Sequence, residues 1–554
     1  MPTESPASGA ESPAAELSVD EIQLRAQGHK GELPRQFSAF ATLALAFSIT
    51  NSWLGYSGVF AYPLDAGRGP TVFWGLIVAG VACTMITAGL AEIASAFPSS
   101  GGQYHFAFMV SPPSIRAPVA FIMGWLSVLA WGLTTASAVI VVAQITSSVA
   151  AFNNPGYEPT QWQIYLMSAL AIILCGTVAC LLPKLLPLVN QSFFAFSLLG
   201  FVVSFVAVLA GSDTKQSGDV VFVEFINNTG WSDGTAFMVA VGTCMYSFLA
   251  TDATTHIAEE VPNPGRHVPR VMMLTMAIGI FTSVCWAVAF MFSTNDLDDV
   301  VGSALPIFSV YHQALSSSAA ASAFSIWLMW LYWGASIGCI ATTGRLAWAF
   351  ARDNGFPFSR FLAKVHPTLK MPVNATVVSV TFVVLYNLIY IGSTTAFNSI
   401  ISMCILALNI TYAIPQGIVL WYGRDKVLPK RQFNLGPIFG PFCNAFSCLW
   451  VTLYTVLFCL PVYYPPTVED MNYVSVVLVG IVVAIAAFWF LGKRKTFVGP
   501  VRCVTCKVRV MANNAIEYSR QRRRARTGTR PLCRFGAGGG AEETFKQSPL
   551  VCSL

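Results

Sequence analysis

Long apolar runs separated by short polar segments make up most of the chain between residues 38 and 500. A run of about 20 apolar residues forms a helix long enough to cross the hydrocarbon core of a bilayer. The pattern predicts twelve such helices, at residues 39–62, 71–97, 117–147, 163–182, 187–211, 235–257, 269–293, 318–345, 373–392, 395–421, 438–464 and 472–492. We therefore expect an all-α, polytopic membrane protein whose surface is covered by the lipid bilayer.

The lysine and arginine residues are distributed unevenly between alternate loops. With the N-terminus in the cytosol, thirteen basic residues lie in the inner loops and their flanks, and only Arg68 and Lys215 lie in the outer loops. Cytoplasmic loops of membrane proteins carry such an excess of positive charge. This orientation places both termini in the cytosol. It places Asn227, the first residue of an Asn-Asn-Thr sequon, in a long outer loop, where we expect glycosylation.

Composition excludes several classes of protein. Charged residues make up 10% of the 554 residues and apolar residues 55%, which is incompatible with a soluble surface around one core. Fourteen of the 32 basic residues lie from Lys493 onward, so the net charge of +6 does not indicate nucleic acid binding. The fourteen cysteines are scattered, and the chain lacks a phosphate-binding loop and a zinc-binding histidine pair. We therefore expect no cofactor, no metal and no enzymatic activity.

Three regions differ in composition. Residues 1–37 are rich in Ser, Pro, Ala and Glu and are expected to form a disordered cytosolic arm. Residues 38–500 form the transmembrane domain. Residues 501–554 are basic and are expected to form a disordered cytosolic tail, the alternative being a segment attracted to anionic lipid.

Polar and small residues interrupt the middle of the first apolar run, where Asn51 and Ser52 stand close to Gly55 and Gly58. Unwound backbone at membrane depth is tolerated only where it lines a cavity. Such a break frees N–H and C=O groups to bind a solute. We interpret this segment as a broken helix, the alternative being that the glycines allow close helix packing.

The sixth apolar run carries an acid, Asp252, in its latter part, with His256 four residues later. An acid inside hydrocarbon is costly and marks a functional site when it faces a cavity. Asp252 either carries a proton or neutralises a substrate amine there, or it lies near water at the inner interface, and the sequence leaves these alternatives open. For His256, which shares a helix face with Asp252 if the helix continues, we favour the interface.

Glu92 ends the second run. It either gates the inner mouth by pairing with a basic loop residue or is a solvated acid at a helix end. Four aromatic residues, Trp53, Tyr56, Tyr246 and Phe248, could surround an ammonium group, a contact worth about 0.5–2 kcal/mol.

Five segments of the chain, in order and at matching spacing, resemble the amino acid/polyamine/organocation superfamily. They are residues 43–53, Gly67-Arg-Gly-Pro70, residues 91–104, residues 252–264 and residues 343–357. Within that superfamily they look most like the fungal permeases for amino acids, GABA and choline. The resemblance covers about residues 34 to 500.

The resemblance implies a five-plus-five inverted repeat with helices 1 and 6 broken at the substrate site and two extra helices after the tenth. The implied substrate-binding residues are Asn51, Ser52, Trp53, Gly55, Tyr56, Gly58, Tyr246, Phe248, Thr251 and Asp252. The implied gate or coupling residues are Glu92, Asp252, His256 and Arg345. The chain departs from many relatives just before Asp252, where Leu249-Ala250-Thr251 replaces a glycine pair and is expected to narrow the pocket.

These features predict a secondary transporter that moves amino acids or related amine solutes such as GABA or choline by alternating access, with a proton as coupling partner. We expect it in the plasma membrane rather than the vacuolar membrane. The alternative is a nutrient-sensing receptor with a transporter fold, which would bind a solute without accumulating it.

Overall fold

The computed structural model describes residues 24–25, 31–467, 471–497 and 499–500, and it describes no side chains for residues 395–401. Most of the predicted N-terminal arm and all of the predicted tail at residues 501–554 lie outside the described residues. The predicted disorder of the N-terminal arm and of the C-terminal tail therefore remains a prediction.

The described residues form helices and connecting turns, with no strand among them, as the apolar pattern predicts. The helices are α1 (Ala39–Thr50), α2 (Ser52–Ser57), α3 (Ala61–Pro70), α4 (Leu76–Ala96), α5 (Gln103–Val110), α6 (Arg116–Asn153), α7 (Gln161–Leu181), α8 (Leu186–Gly211), α9 (Gly218–Phe222), α10 (Asp233–Cys244), α11 (Pro264–Ser293), α12 (Leu297–Gly302), α13 (Pro306–Leu315), α14 (Ser318–Arg352), α15 (Ser359–Leu362), α16 (Val373–Asn387), α17 (Ile389–Gly392), α18 (Thr394–Tyr422), α19 (Arg424–Val427), α20 (Gly436–Leu457), α21 (Val474–Phe488) and α22 (Arg494–Thr496). A π-helical turn, Thr71–Gly75, joins α3 to α4, and another, Trp489–Lys493, joins α21 to α22.

Within the described residues, eleven helices are long and apolar enough to cross a membrane. The first predicted span is not among them because it is interrupted after the 12 residues of α1. The expected loop at residues 63–70 is wrong, since α3 is helical there and only kinks at Gly67 and Arg68. The all-α, multi-pass membrane architecture is confirmed, and the inverted repeat stays a prediction.

The centre of the bundle is α6. In its most apolar stretch 83% of the residues are buried within the protein, against 11% in the span that contains α21. α6 packs against α14, α18 and α5, so side chains at the middle of α6 face neighbouring helices instead of lipid. α21 is peripheral and exposes most of its apolar residues, as lipid-facing helices do.

Two of the spans are broken at single residues with a left-handed backbone. Asn51, between α1 and α2, has φ 28° and ψ 65°. In the sixth span α10 gives way to 3₁₀ turns, Met245–Phe248 and Ala253–Glu260, on either side of Ala250, whose φ is 63°. Asparagine tolerates this region better than most residues, whereas alanine pays about 1–2 kcal/mol for it.

Candidate functional site

The two breaks meet at one internal cavity of about 40 Å³. Residues of the first break, residues of the second break, and the middles of α6 and α14 line it. The lining residues are Ile49, Thr50, Asn51, Leu54, Gly55, Thr134, Ala138, Tyr246, Leu249, Ala250, Tyr332, Ala335 and Cys339. A water molecule needs about 10–15 Å³ of cavity volume, so the cavity has room for about three water molecules. It has no room for a larger solute.

Only three of the ten predicted substrate residues line this inner cavity, namely Asn51, Gly55 and Tyr246. Gly58 lines a second, outer cavity instead. The remaining six lie buried without lining either cavity: Ser52, Trp53, Tyr56, Phe248, Thr251 and Asp252. Of the four rings predicted to surround an ammonium group, the structure therefore brings only Tyr246 to the inner cavity.

Trp53 and Tyr56 hold the broken span in place. The indole Nε1 of Trp53 donates to Ser197 Oγ at 3.0 Å, and that hydroxyl donates to Asn51 Oδ1 at 3.0 Å. The hydroxyl of Tyr56 donates to the carbonyl of Val72 at 2.7 Å. These bonds join Asn51 to α8 and Tyr56 to the turn before α4, so the segment around the break is held by the packed bundle.

Asp252 lies in a fully buried polar cluster. Its carboxylate accepts hydrogen bonds from Gln103 Nε2 (2.6 Å), Trp131 Nε1 (3.1 Å) and the Tyr412 hydroxyl (2.5 Å), and its Oδ2 lies 2.9 Å from His256 Nε2. The α5, α6 and α18 helices supply the first three partners. A buried carboxylate is tolerated only when it is bonded in this way. Asp252 is therefore not near water in this structure. Its depth in the bilayer stays a prediction.

His256 is also fully buried and does not face water, whereas its position at the inner interface stays a prediction. The two residues lie close together although no α-helix continues through them, because Asp252 immediately precedes the 3₁₀ segment that contains His256. The other ring nitrogen of His256, Nδ1, faces the carbonyl oxygen of Ser100 at 3.2 Å. Both ring nitrogens of this histidine therefore face oxygen atoms that act as acceptors.

Two ion pairs, one buried and one partly buried, join the end of the sixth span to α14 on the side predicted to be cytoplasmic. The guanidinium of Arg345 pairs with Glu260, and that of Arg352 forms two bonds of 3.0 and 2.9 Å to Glu259. Gln36 Nε2 adds a bond of 2.6 Å to Glu260. Breaking a buried pair costs about 3–5 kcal/mol, so these contacts stabilise the packing of the sixth span against α14. Whether they form the cytoplasmic gate remains a prediction.

Glu92 is fully buried, so the alternative of a solvated acid is wrong. Its carboxylate pairs with Arg424 Nη2 at 2.5 Å and with Arg431 Nε at 2.7 Å. Both arginines belong to the segment between α18 and α20, as the pairing with a basic loop residue predicted. Whether this contact gates the inner mouth remains a prediction.

A larger cavity of about 440 Å³ lies toward the side predicted to be extracellular. Gly58 lines this outer cavity, and a Cβ atom at Gly58 would lie 2.7 Å from the hydroxyl of Tyr332. That hydroxyl donates to the carbonyl of Leu54 at 3.1 Å, and Tyr332 lines the inner cavity. Tyr332 therefore lines the inner cavity and contacts Gly58 of the outer one.

The predicted glycan site is held by its own loop. Asn227 Nδ2 donates to the carbonyl of Trp231 at 2.7 Å and to Asp233 Oδ1 at 3.2 Å. A glycan on this nitrogen leaves it one hydrogen, so one of the two bonds would be lost. Glycosylation of Asn227 stays a prediction.

Several residues of these clusters were not identified from the sequence: Gln103, Trp131, Thr134, Tyr332, Tyr412, Arg424 and Arg431. Thr134 offered a signal, being a polar residue in the middle of an apolar run, next to Thr135. Trp131, Tyr332 and Tyr412 look like ordinary aromatic residues of membrane helices, and only their position in the bundle distinguishes them.

Residues 37–483 match the amino acid permease family. The choline transporter of Saccharomyces cerevisiae is 34% identical over 469 residues, which cover 84% of this chain and 83% of that protein. An uncharacterized amino-acid permease of Schizosaccharomyces pombe is 31% identical over 494 residues, covering 88% and 90%. An amino-acid permease of Arabidopsis thaliana is 25% identical over 502 residues, covering 88% and 97%.

Proposed function

We propose, from the premise that the chain belongs to the amino acid permease family, that it moves its solute by alternating access with a coupled proton. The chain is an integral, multi-pass membrane protein and a transporter of amino acids or related amines. The observation that carries the mechanism is the small inner cavity between the two broken spans. Broken helices in transporters present free backbone groups to a solute near the middle of the bilayer.

The solute occupies the inner cavity after it widens. Asn51, Gly55 and Tyr246 line this space, with Thr134 and Tyr332 contributed by α6 and α14. Room for about three water molecules is too small for an amino acid or for choline, so helices that line the cavity must move before a solute enters. A closed cavity between a sealed inner side and an outer cavity is the arrangement from which outward opening begins.

The coupled proton lies between Asp252 and His256. If Nδ1 of His256 carries a hydrogen for the Ser100 carbonyl, Nε2 of a neutral ring presents a lone pair to Asp252. Two facing acceptors repel each other, and the other neutral tautomer moves the same conflict to Ser100. Both contacts are favourable only when one additional proton resides on the pair. The inner side is thus closed while the pair is protonated.

Loss of this proton favours inward opening. His256 lies three residues before Glu259 and four before Glu260, the two acids that hold α14. A change in the Asp252 contact therefore acts on the same short 3₁₀ segment that carries the inner ion pairs. Inward opening requires that both arginine pairs separate.

The solute class is a small molecule with an ammonium group. A choline transporter and amino-acid permeases among the relatives support this range, and choline, GABA and neutral amino acids are its candidates. Ala250 lines the inner cavity at the position where many relatives have a glycine pair, and its side chain limits the volume. We place the protein in the plasma membrane, where such solutes are taken up.

Uptake into proteoliposomes tests the proposal. Radiolabelled choline, GABA and a set of neutral amino acids are each offered with and without an imposed proton gradient. We expect concentrative uptake of at least one solute that collapses when a protonophore dissipates the gradient. Saturable binding without accumulation would instead identify a receptor. Accumulation that does not depend on the proton gradient would show that transport is not coupled to a proton.

A further inference from the structure

Behind Tyr463, a residue that lines the outer cavity, lies a carboxylate that the transport cycle described above does not use. Asp65 is buried, with 8% of its surface exposed, and belongs to α3 on the outer side of the protein. Its carboxylate accepts one bond from Asn228 Nδ2 and one from the Tyr463 hydroxyl, both at 3.0 Å. Both partners are neutral, and a buried carboxylate usually has a cation as partner.

The available cations on this side are engaged elsewhere. Arg68 Nη2 pairs with Asp298 at 2.5 Å, and Lys215 Nζ donates to the Ser212 carbonyl at 3.0 Å. In the part of the chain that the structure describes, no ion pair involves Asp65. Because no such pair neutralises it, the negative charge of Asp65 can attract cations into the neighbouring outer cavity.

Aromatic rings connect Asp65 to that cavity. Tyr62 and Tyr463 both line it, and their rings meet edge to face with centroids 6.0 Å apart and planes at 86°. The ring faces of tyrosine attract cations. Tyr463 also donates its hydroxyl hydrogen to Asp65, which pushes electron density into the ring and strengthens this attraction.

We propose that the outer cavity is a capture site for small organic cations, formed by Tyr62 and Tyr463 over the carboxylate of Asp65. The cavity volume of about 440 Å³ leaves space for an alkylammonium group with its water. The wall next to Gly58 is Tyr332, behind which the inner cavity lies. As a step of uptake, this site rests on the proposed function. It concentrates cationic solutes beside Tyr332 before the Tyr332 side chain moves.

The charge preference of the cavity is measured without any transport. Thr243, which lines the cavity, is replaced by Cys in a Cys459→Ser background, since Cys459 lies between two lining residues. Intact cells are treated with two methanethiosulfonate reagents, one carrying a trimethylammonium group and one a sulfonate. Each rate is divided by the reagent's rate with a free thiol in solution.

We expect the cationic reagent to react at least about tenfold faster than the anionic one, and Asp65→Asn to reduce this ratio by about fivefold or more. The amide keeps the shape of the carboxylate and removes only its charge. Asp298→Asn is the matched control, because it changes the net charge equally at a side chain that is 79% exposed and paired with Arg68. Tyr463→Phe keeps both the ring and the charge, so most of the preference should remain.

Occupancy is measured with tetramethylammonium chloride against sodium chloride at equal ionic strength. The organic cation should slow modification of Thr243→Cys by a neutral reagent at least about twofold, and Asp65→Asn should abolish this protection. The capture site would be overturned if both charged reagents reacted at equal rates or if Asp298→Asn lowered the ratio as much as Asp65→Asn does. It would also be overturned if tetramethylammonium gave no protection. If uptake failed while the outer cavity kept its preference for the cationic reagent, only the proposed function would be contradicted.

Discussion

Ala250 is a residue whose backbone conformation conflicts with its side chain. Its φ of 63° lies in the left-handed region, which favours glycine, and its side chain lines the inner cavity. Such strain persists only where the surrounding structure enforces it, and it clusters at functional sites. Asn51, at the other break, has a polar side chain that suits this region better.

Ala250→Gly should stabilise the closed conformation by about 1 kcal/mol, because it removes the left-handed strain. Thermal denaturation of the purified protein, followed by size-exclusion chromatography, should show a higher midpoint. Ala258→Gly is the control: this alanine lies in the 3₁₀ segment without a positive φ, so the same change should lower the midpoint. A lower midpoint for Ala250→Gly would show that the break is not strained.

Asp252→Asn should abolish proton-driven accumulation while exchange of internal for external solute continues, because exchange moves no net proton. His256→Gln should have the same effect, since the proposed proton is shared by both residues. Four side chains surround Asp252, so each rate must be normalised to surface protein. If Asp252→Asn lost exchange as well as accumulation, Asp252 would be assigned to solute binding. If accumulation kept its normal pH dependence in both variants, the pair would not carry the coupled proton.

At the scale of elements, the closed state depends on contacts between segments that are far apart in the chain. The sixth span is joined to α14 by two ion pairs, and α4 is joined to the segment after α18 by Glu92. On the outer side, α2 ends at Gly58 against Tyr332 of α14. The α14 helix therefore contributes both to the ion pairs at the end of the sixth span and to the contact with Gly58.

Arg345→Ala should reduce stability by about 3–5 kcal/mol, since Glu260 is left as an unpaired buried charge. Uptake normalised to surface protein should also fall. The double variant Arg345→Glu with Glu260→Arg should recover part of both losses by restoring opposite charges. Arg360→Ala, at an exposed position of α15, should change neither quantity. Equal effects of Arg345→Ala and Arg360→Ala would show that the pair does not hold the inner side.

Gly58→Ala should impair uptake, because the new methyl group would lie 2.7 Å from the Tyr332 hydroxyl. Adding Tyr332→Phe removes that hydroxyl and should restore much of the rate. Gly55→Ala should be milder, since the nearest atom to its Cβ position is Ser247 Cα at 3.4 Å. Initial rates per surface molecule decide the comparison. A double variant no better than Gly58→Ala would mean that Tyr332 is not the obstacle.

At the scale of the whole molecule, the bundle has a buried centre and a lipid-facing periphery. α6 packs at the centre, whereas α21 exposes most of its surface. Ion pairs at one end and a cavity at the other give the molecule two unlike faces. This asymmetry is what a transporter needs in order to open to one side at a time.

Deletion of residues 503–554 should leave the transport rate per surface molecule within about twofold, less than 0.5 kcal/mol in the barrier. The reason is compositional, since this region has no apolar run that could join the bundle. Surface biotinylation separates the rate from any change in trafficking. A larger loss of intrinsic rate would show that the tail takes part in transport.

The sequence by itself determined the class of protein and most of the spans. A bilayer requires about 20 apolar residues in succession, and this is a local property that can be read along the chain. The break at Asn51 was also predictable, because its cause lies in neighbouring residues of the same run. The helical character of residues 63–70 was missed, since the predicted spans end at residue 62 and resume at residue 71, whereas α3 extends from Ala61 to Pro70.

Only the tertiary structure decided which residues meet. Nothing local to Asp252 indicates that Gln103, Trp131 and Tyr412 bond to it, because these partners lie 149, 121 and 160 residues away in the chain. The same holds for Glu92 and Arg424, separated by 332 residues. Hydropathy fixes how far each helix extends, whereas its rotation and its neighbours follow from side-chain packing among all the helices. The cavity lining from α6 and α14 is a product of that packing.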